Sequence, residues 1–154
     1  MKFRIVILSV ALFVATALHG QAIAPLTAEF GHHKANAAML TVNQGLYPQI
    51  VTVEAVSFTP SNHGPQFRKL DPGVNVILSD TSFKLGAKQQ RQVGAKITCP
   101  SDCAVALRAT FLSPKKDSSI QVAVHLDSAQ YVCDRAKDCR ANFLKTAGVT
   151  LAGK

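Results

Sequence analysis

The stretch AVALRATFLSPKKDSSIQVAVHL, residues 104–126, decides the fold class. Apolar side chains fall at every second position from Val105 to Phe111, and again from Ile120 to Leu126. A polar segment rich in turn formers, residues 113–118, separates the two runs. Alternation with period two is typical of strands with one buried face, so this stretch predicts two strands joined by a turn.

Shorter runs of the same kind precede this pair. They are rich in β-branched residues and are separated by turn formers, of which residues 59–65 are the densest group. The count comes to about seven short strands in roughly 100 residues, which predicts a small all-β sandwich of two sheets. The runs lie at residues 39–43, 50–58, 74–78, 83–85 and 92–97.

The N-terminus has the three parts of a secretory signal. Met1–Arg4 is short and basic, Ile5–Leu18 is apolar, and small residues follow at Gly20–Ala22. The apolar part is short for a membrane span. We predict cleavage after Ala22, with Ala24 as the competing site, and a mature protein that does not span a membrane and is periplasmic or secreted.

The four cysteines form two close pairs, Cys99 with Cys103 and Cys133 with Cys139. In an exported chain they are expected to form two disulfides, and we expect no metal site at these spacings. Two local bridges are feasible. A hairpin turn centred near residue 116 would also place Cys133 opposite residue 99, which makes a bridge from the Cys99/Cys103 segment to Cys133 feasible. The sequence leaves the connectivity open.

The domain organisation predicted from these signals is a leader at residues 1–22, a sandwich domain at 23–133 and a tail at 134–154. In the tail, Asp134 could cap a helix that runs through Phe143 and stops at Gly148. A disulfide between Cys133 and Cys139 would compete with that helix.

Composition and charge narrow the function classes. Hydrophobic residues make up 47% and charged residues 17%, so the chain can bury a core. The net charge is +8, and removal of a leader that carries Lys2 and Arg4 leaves about +6. The basic residues are spread over many elements, aromatic residues make up only 6%, and there is no Trp. We therefore expect no nucleic-acid partner.

Catalytic motifs are missing from the sequence. It has no Gly-rich phosphate loop, no G-x-S-x-G, no H-E-x-x-H, and no acidic pair spaced for acid–base chemistry. His32, His33 and His63 lie in separate turn-like segments without a third ligand. We expect a protein that is not an enzyme, needs no cofactor and works through its surface.

Three stretches carry a resemblance to a known family. In residues 40–58, Asn43 ends one apolar run and Pro48 introduces the next. Residues 74–97 contain apolar runs on both sides of a turn at Gly86. Residues 107–124 contain two predicted strands joined by a loop. On these patterns, residues 26–133 resemble the N-terminal, immunoglobulin-like domain of the periplasmic chaperones that assemble bacterial pili. The resemblance implies an immunoglobulin-like sandwich.

The resemblance also implies a binding mode. In that family the seventh strand completes the unfinished sandwich of a pilus subunit, and the corresponding side chains here are those of Ile120, Val122, Val124 and Leu126. Two basic residues of the family hold the terminal carboxylate of the subunit. Lys116 corresponds to one of them. The other, an Arg on the first strand, corresponds to Thr27 or Ala28, and neither is basic.

Two further features of the family bear on this chain. Some members have a disulfide between their sixth and seventh strands, which implies a bridge from Cys99 or Cys103 to Cys133. Residues 134–154 are too few to form the second domain of the family. The resemblance thus implies a one-domain relative.

The function expected from the sequence is chaperone-like. The protein would bind pilus subunits or other exported peptides by β-strand donation in the periplasm, and an outer-membrane usher would be a further partner. The alternative is a structural role, as a pilus-like subunit or a secreted β-sandwich domain with a fixed place in an assembly.

Overall fold

The computed structural model describes residues 20–113 and 122–150, and these residues form a two-sheet β-sandwich followed by one helix. The predicted all-β sandwich of two sheets is confirmed. The elements are β1 (Gln21–Ala24), β2 (Thr27–Phe30), β3 (Lys34–Asn43), β4 (Gln49–Thr59), β5 (Gln66–Arg68), β6 (Asn75–Leu78), β7 (Ser82–Leu85), β8 (Gln90–Thr98), β9 (Cys103–Leu112), β10 (Ala123–Val132) and α1 (Cys139–Thr146).

The number of strands is larger than the sequence predicted. Within the described residues the structure has ten strands rather than about seven, and the three additional ones, β1, β2 and β5, contain only three or four residues each. A strand of that length shows at most two inward positions, so it leaves little periodic signal in the sequence. By contrast, the alternation seen from residue 39 extends back to Lys34 in β3.

The first sheet has the order β1-β3-β8-β6, and the second has the order β2-β10-β9-β4-β5 with β7 also paired to β4. The chain changes sheets between β1 and β2, at the cis peptide bond before Pro25. There β2 pairs in parallel with β10, with Thr27 opposite Ala129 and Phe30 opposite Val132. This crossing determines how many residues of β10 are paired on the side opposite β9.

The core lies between the two sheets and follows the predicted alternation. Met39 and Ile97 from the first sheet meet Val51, Leu107 and Phe111 from the second, and all five are almost completely buried. Burial of such a side chain stabilises the fold by about 1.5–3 kcal/mol relative to its exposure to water.

The Asn at the end of β3 has a structural role. Asn43 is fully buried, and its Nδ2 donates to the carbonyl oxygens of Tyr47 (2.8 Å), Leu85 (3.3 Å) and Gly86 (3.0 Å). Its Oδ1 accepts from the amide of Gly45 at 2.9 Å. One side chain therefore ties the loop before β4 to the turn between β7 and β8.

The disulfides are local. Cys99 pairs with Cys103, and Cys133 pairs with Cys139. No bridge joins the Cys99/Cys103 segment to Cys133. The predicted hairpin geometry allowed such a bridge and the resemblance implied it. The predicted register was also wrong: Val132 lies opposite Cys103, so continuing the ladder brings Cys133 beside residue 102 rather than 99.

The C-terminal helix is shorter than predicted. It begins at Cys139 with Asp138 as the N-cap, not at Asp134, and Gly148 follows its end with a positive φ of 68°. The Cys133–Cys139 disulfide does not compete with the helix, because Cys139 is its first residue. The bridge instead fixes the start of α1 beside the end of β10.

Candidate strand-binding edge

Strand β10 is paired unequally on its two sides. On one side it pairs with β9 from Ala123 to Val132. On the other side it pairs with β2, and only from Ala129 to Val132. Within the part of the chain that the structure describes, no strand pairs with that side of residues 123–127. We call this segment of β10 the free edge.

The backbone of the free edge can be assigned group by group. On the β2 side, the amide of Ala129 donates to the carbonyl of Leu26 at 2.8 Å, and the amide of Cys133 donates to Phe30 at 3.0 Å. Since successive residues of a strand point their backbone groups to opposite sides, the N–H and C=O of Ala123, His125 and Asp127 face the free edge. The edge therefore offers regularly spaced donors and acceptors to an added strand.

The side chains of β10 divide between two faces. Val124 and Leu126 are half-buried against the core, whereas Val122 is 63% exposed just before the strand begins. Ser128 and Gln130 continue the same inward row and are buried. Burial thus increases along the row toward β2, and the apolar part of the row is its more open part.

The opposite face of β10 carries the polar side chains of His125 and Asp127. His125 Nδ1 is hydrogen-bonded to Thr110 Oγ1 at 2.8 Å. Arg108 Nε donates to Asp127 Oδ1 at 2.8 Å, and the Arg108 guanidinium lies 4.2 Å from the centroid of the Phe67 ring. These contacts hold the edge strand against β9 without using its outward backbone groups.

The predicted site residues have different outcomes. Val124 and Leu126 pack against the core beside the free edge, and Val122 is exposed just before β10 begins; their role in binding stays a prediction. Lys116 and Ile120 lie outside the described residues, so their role stays a prediction. Thr27, where the resemblance places a basic residue, lies in β2 opposite Ala129, at the end of the free edge.

Sequence reasoning missed the residues that close this end. Ser128 Oγ donates to the carbonyl of Pro25, and Gln130 Nε2 donates to Ser128 Oγ at 2.7 Å. Leu26 lies beside them with 66% of its surface exposed. A signal was present: at positions 128 and 130 the row of apolar residues from Ile120 to Leu126 changes to polar residues, which marks a change of environment.

The outer face of the second half of β10 is covered by the tail. The Tyr131 ring lies 5.5 Å from Phe58 and 5.6 Å from Phe143 of α1, measured between centroids. Burial raises the pKa of the Tyr131 hydroxyl, and the charge of Arg140 partly opposes that rise. The helix covers this face but does not extend the sheet.

Over residues 20–113 and 122–150, no cluster of three or more His, Cys, Asp and Glu side chains could hold a metal ion. His33 is instead hydrogen-bonded to Asp102, with 2.8 Å between Nε2 and Oδ1. The helix found in the described segments is too short and too polar to cross a membrane.

Comparison with solved structures identifies the fold. Escherichia coli chaperone DraB matches 77% of this chain with a TM-score of 0.58 and 14% identity. The complex of Salmonella enterica SafA pilin with the SafB chaperone matches 79%, with a TM-score of 0.58 and 14% identity. The Acinetobacter baumannii complex of CsuC with CsuE matches 85%, with a TM-score of 0.50 and 12% identity.

These matches define the class to which the fold belongs. The chain has the fold of the N-terminal immunoglobulin-like domain of periplasmic pilus chaperones. It spans 57% of the DraB chain and 58% of the matched chain in the SafA–SafB complex. No protein-family model matches the sequence, and no curated protein matches it.

Proposed function

We propose that this protein is an exported, chaperone-like binding protein that pairs the free edge of β10 with a strand of a pilus subunit or another exported protein. The observation that carries the proposal is the unequal pairing of β10, with one side bound to β9 and residues 123–127 unpaired on the other side within the described chain. An exposed edge of this kind binds partners by β-augmentation.

Two kinds of contact would contribute to binding. The outward backbone groups of Ala123, His125 and Asp127 would form ladder hydrogen bonds, each worth about 0.5–1.5 kcal/mol net. The inward row would supply specificity, because Val122 is exposed and Val124 and Leu126 are half-buried. A partner strand with apolar residues at alternate positions would cover them.

Lys116 and Ile120 complete the proposed site on the basis of sequence. Ile120 extends the apolar row by one alternate position, and Lys116 precedes it by four residues. We propose that Lys116 binds a carboxylate of the partner, as the corresponding residue does in the family that the sequence resembles. An ammonium and a carboxylate form a stronger contact when water is partly excluded from them.

A periplasmic location is part of the proposal. The sequence of residues 1–22 supports export, and the Cys99–Cys103 and Cys133–Cys139 disulfides require an oxidising compartment. An outer-membrane usher would then be a second partner, which receives the bound subunit.

The backbone of the free edge gives the sharpest test. Ala123→Pro removes an outward N–H and leaves the hydrogen bonds of Val124 to β9 in place, and proline is tolerated at the first residue of an edge strand. Ala123→Val is the matched control, since it keeps the N–H. The tagged full chain would be produced in its exporting host and its complexes isolated from the periplasm.

We expect Ala123→Pro to lower the yield of the complex about tenfold and Ala123→Val to leave it unchanged, which corresponds to the loss of roughly one ladder hydrogen bond. Circular dichroism should show the same fold for both variants. The double variant Val122→Arg with Lys116→Ala should abolish the complex. Equal complex yields for Ala123→Pro and wild type, or no complex with the wild type, would refute strand addition at this edge.

A further inference from the structure

The free edge is closed at one end by the chain itself. At the sheet crossing, the carbonyl of Leu26 accepts from the amide of Ala129 at 2.8 Å, and the carbonyl of Pro25 accepts from Ser128 Oγ. From Ala129 to Val132 the same side of β10 is occupied by β2. A strand added to β10 can therefore run beside residues 122–127 but cannot pass Leu26.

The residue at the closed end is apolar and accessible. Leu26 is 66% exposed, although it follows a buried core residue, Ile23, by only three positions. On β10, Leu26 lies beside Ala129, and the half-buried Val124 and Leu126 precede that position on the inward row. The next residue along the chain is the exposed, uncharged Thr27. An incoming strand would thus meet an apolar side chain as it reaches the crossing.

We propose that Leu26 is the stop that sets the register of the bound strand: the partner places an apolar side chain on Leu26, and this contact fixes which partner residues face Val122, Val124 and Leu126. The proposal rests on the strand addition proposed above. It assigns the partner a chemistry, namely a segment of alternating apolar residues that ends in an apolar residue at the Pro25–Leu26 crossing.

The spacing along the edge follows from strand geometry. The carbonyl of Leu26 is bonded to the amide of Ala129, so Leu26 lies about six residues along β10 from Val122. At about 3.3 Å per residue, six residues span about 20 Å. In one continuous partner strand, the residues that contact Val122 and Leu26 should therefore be about five to seven positions apart.

Site-specific photo-crosslinking in the full chain tests this geometry. The photoreactive residue p-benzoylphenylalanine would replace Val122, Leu26 or, as a control, Ile77, one at a time in the exporting host. Ile77 is apolar, 59% exposed and located on edge strand β6 of the other sheet. All three positions are exposed enough to accept the probe without disturbing the core.

We expect positions 122 and 26 to crosslink to the same partner and position 77 to give no adduct with it. Mass spectrometry should place the two crosslinked partner residues five to seven positions apart in one segment. Crosslinks from position 122 without any from position 26, or crosslinks to separate segments, would overturn the register stop and leave strand addition intact. No adduct from either position would overturn both proposals.

A second measurement separates contact from folding. Once crosslinking has identified the partner, its affinity for the variants can be measured. Leu26→Ser should weaken binding roughly tenfold, because Leu26 is largely exposed in the free protein and serine would not gain the apolar burial that leucine gains in the complex. Leu26→Ile and Ile77→Ser should change it less than twofold. If Leu26→Ser and Ile77→Ser have equal effects on affinity, Leu26 is not the stop.

Discussion

Replacement of Asn43 by alanine should be among the most destabilising single substitutions outside the hydrophobic core. The side chain is fully buried and makes hydrogen bonds to Tyr47, Leu85, Gly86 and Gly45. Asn43→Ala leaves these backbone groups without that partner. Buried groups left unpaired cost about 1–3 kcal/mol each, and those nearer the surface recover part of this through water, so we expect a loss of about 3 kcal/mol.

The assay is urea unfolding of the mature protein, followed by circular dichroism. The midpoint should fall while the slope stays the same, because the surface exposed on unfolding does not change. Asn43→Asp should be worse than Asn43→Ala, since a carboxylate in place of the amide would face the carbonyl oxygens of Tyr47, Leu85 and Gly86. This order of stability, with Asn43→Asp below Asn43→Ala, is expected only if the Asn43 amide donates hydrogen bonds to these carbonyl oxygens.

The control is Asn62→Ala, at an exposed side chain that accepts from Thr150 and donates to Gly148, both at 3.3 Å. Exposed groups exchange these bonds for water, so the loss should stay below about 1 kcal/mol. If Asn43→Ala costs no more than Asn62→Ala, or if Asn43→Asp is the more stable of the two Asn43 variants, the assigned role of this amide is wrong.

Three further predictions concern the core and the tail. Met39→Ala should destabilise the fold by about 2–5 kcal/mol in urea unfolding, because the side chain is completely buried; a loss below about 1 kcal/mol would contradict the packing. Replacing Cys133 and Cys139 together by serine should lower stability by about 2 kcal/mol, as expected for a short closed loop, and no change in thermal melting would contradict it. Phe143→Ala should lower the pKa of Tyr131 toward its ordinary value, because burial is the main cause of its rise; an unchanged absorbance titration would refute that cause.

The position of the free edge depends on the crossing of the chain between the two sheets at Pro25, which the sequence did not predict. The apolar alternation from Ile120 to Leu126 is visible in the sequence, but the same alternation would be found in a strand paired on both sides. Within the described chain, residues 123–127 are unpaired on this side because the segment before Pro25 pairs with β3 in the first sheet. The chain joins the second sheet only at β2. Only the pairing of segments far apart in the chain shows which part of β10 is unpaired.

The cysteines illustrate the same division. Their number and the export signal predicted disulfides, and that prediction is confirmed by two bridges. The connectivity depended on the register between β9 and β10, which differs by three residues from the register expected with a turn centred near residue 116. Turn length is poorly specified by composition, and each residue of error there shifts the opposite positions along the whole hairpin.

By itself, the sequence determined the all-β sandwich, the inward positions of Val124 and Leu126, and the end of the strand at Asn43, because these depend on side-chain periodicity and local turn chemistry. The tertiary structure alone decided the short strands β1, β2 and β5, the start of α1 at Cys139, and the closure of the free edge at Leu26. The physical reason is that backbone hydrogen bonds between strands join residues far apart in the chain, and any side chain with β propensity can occupy either a paired or an unpaired edge.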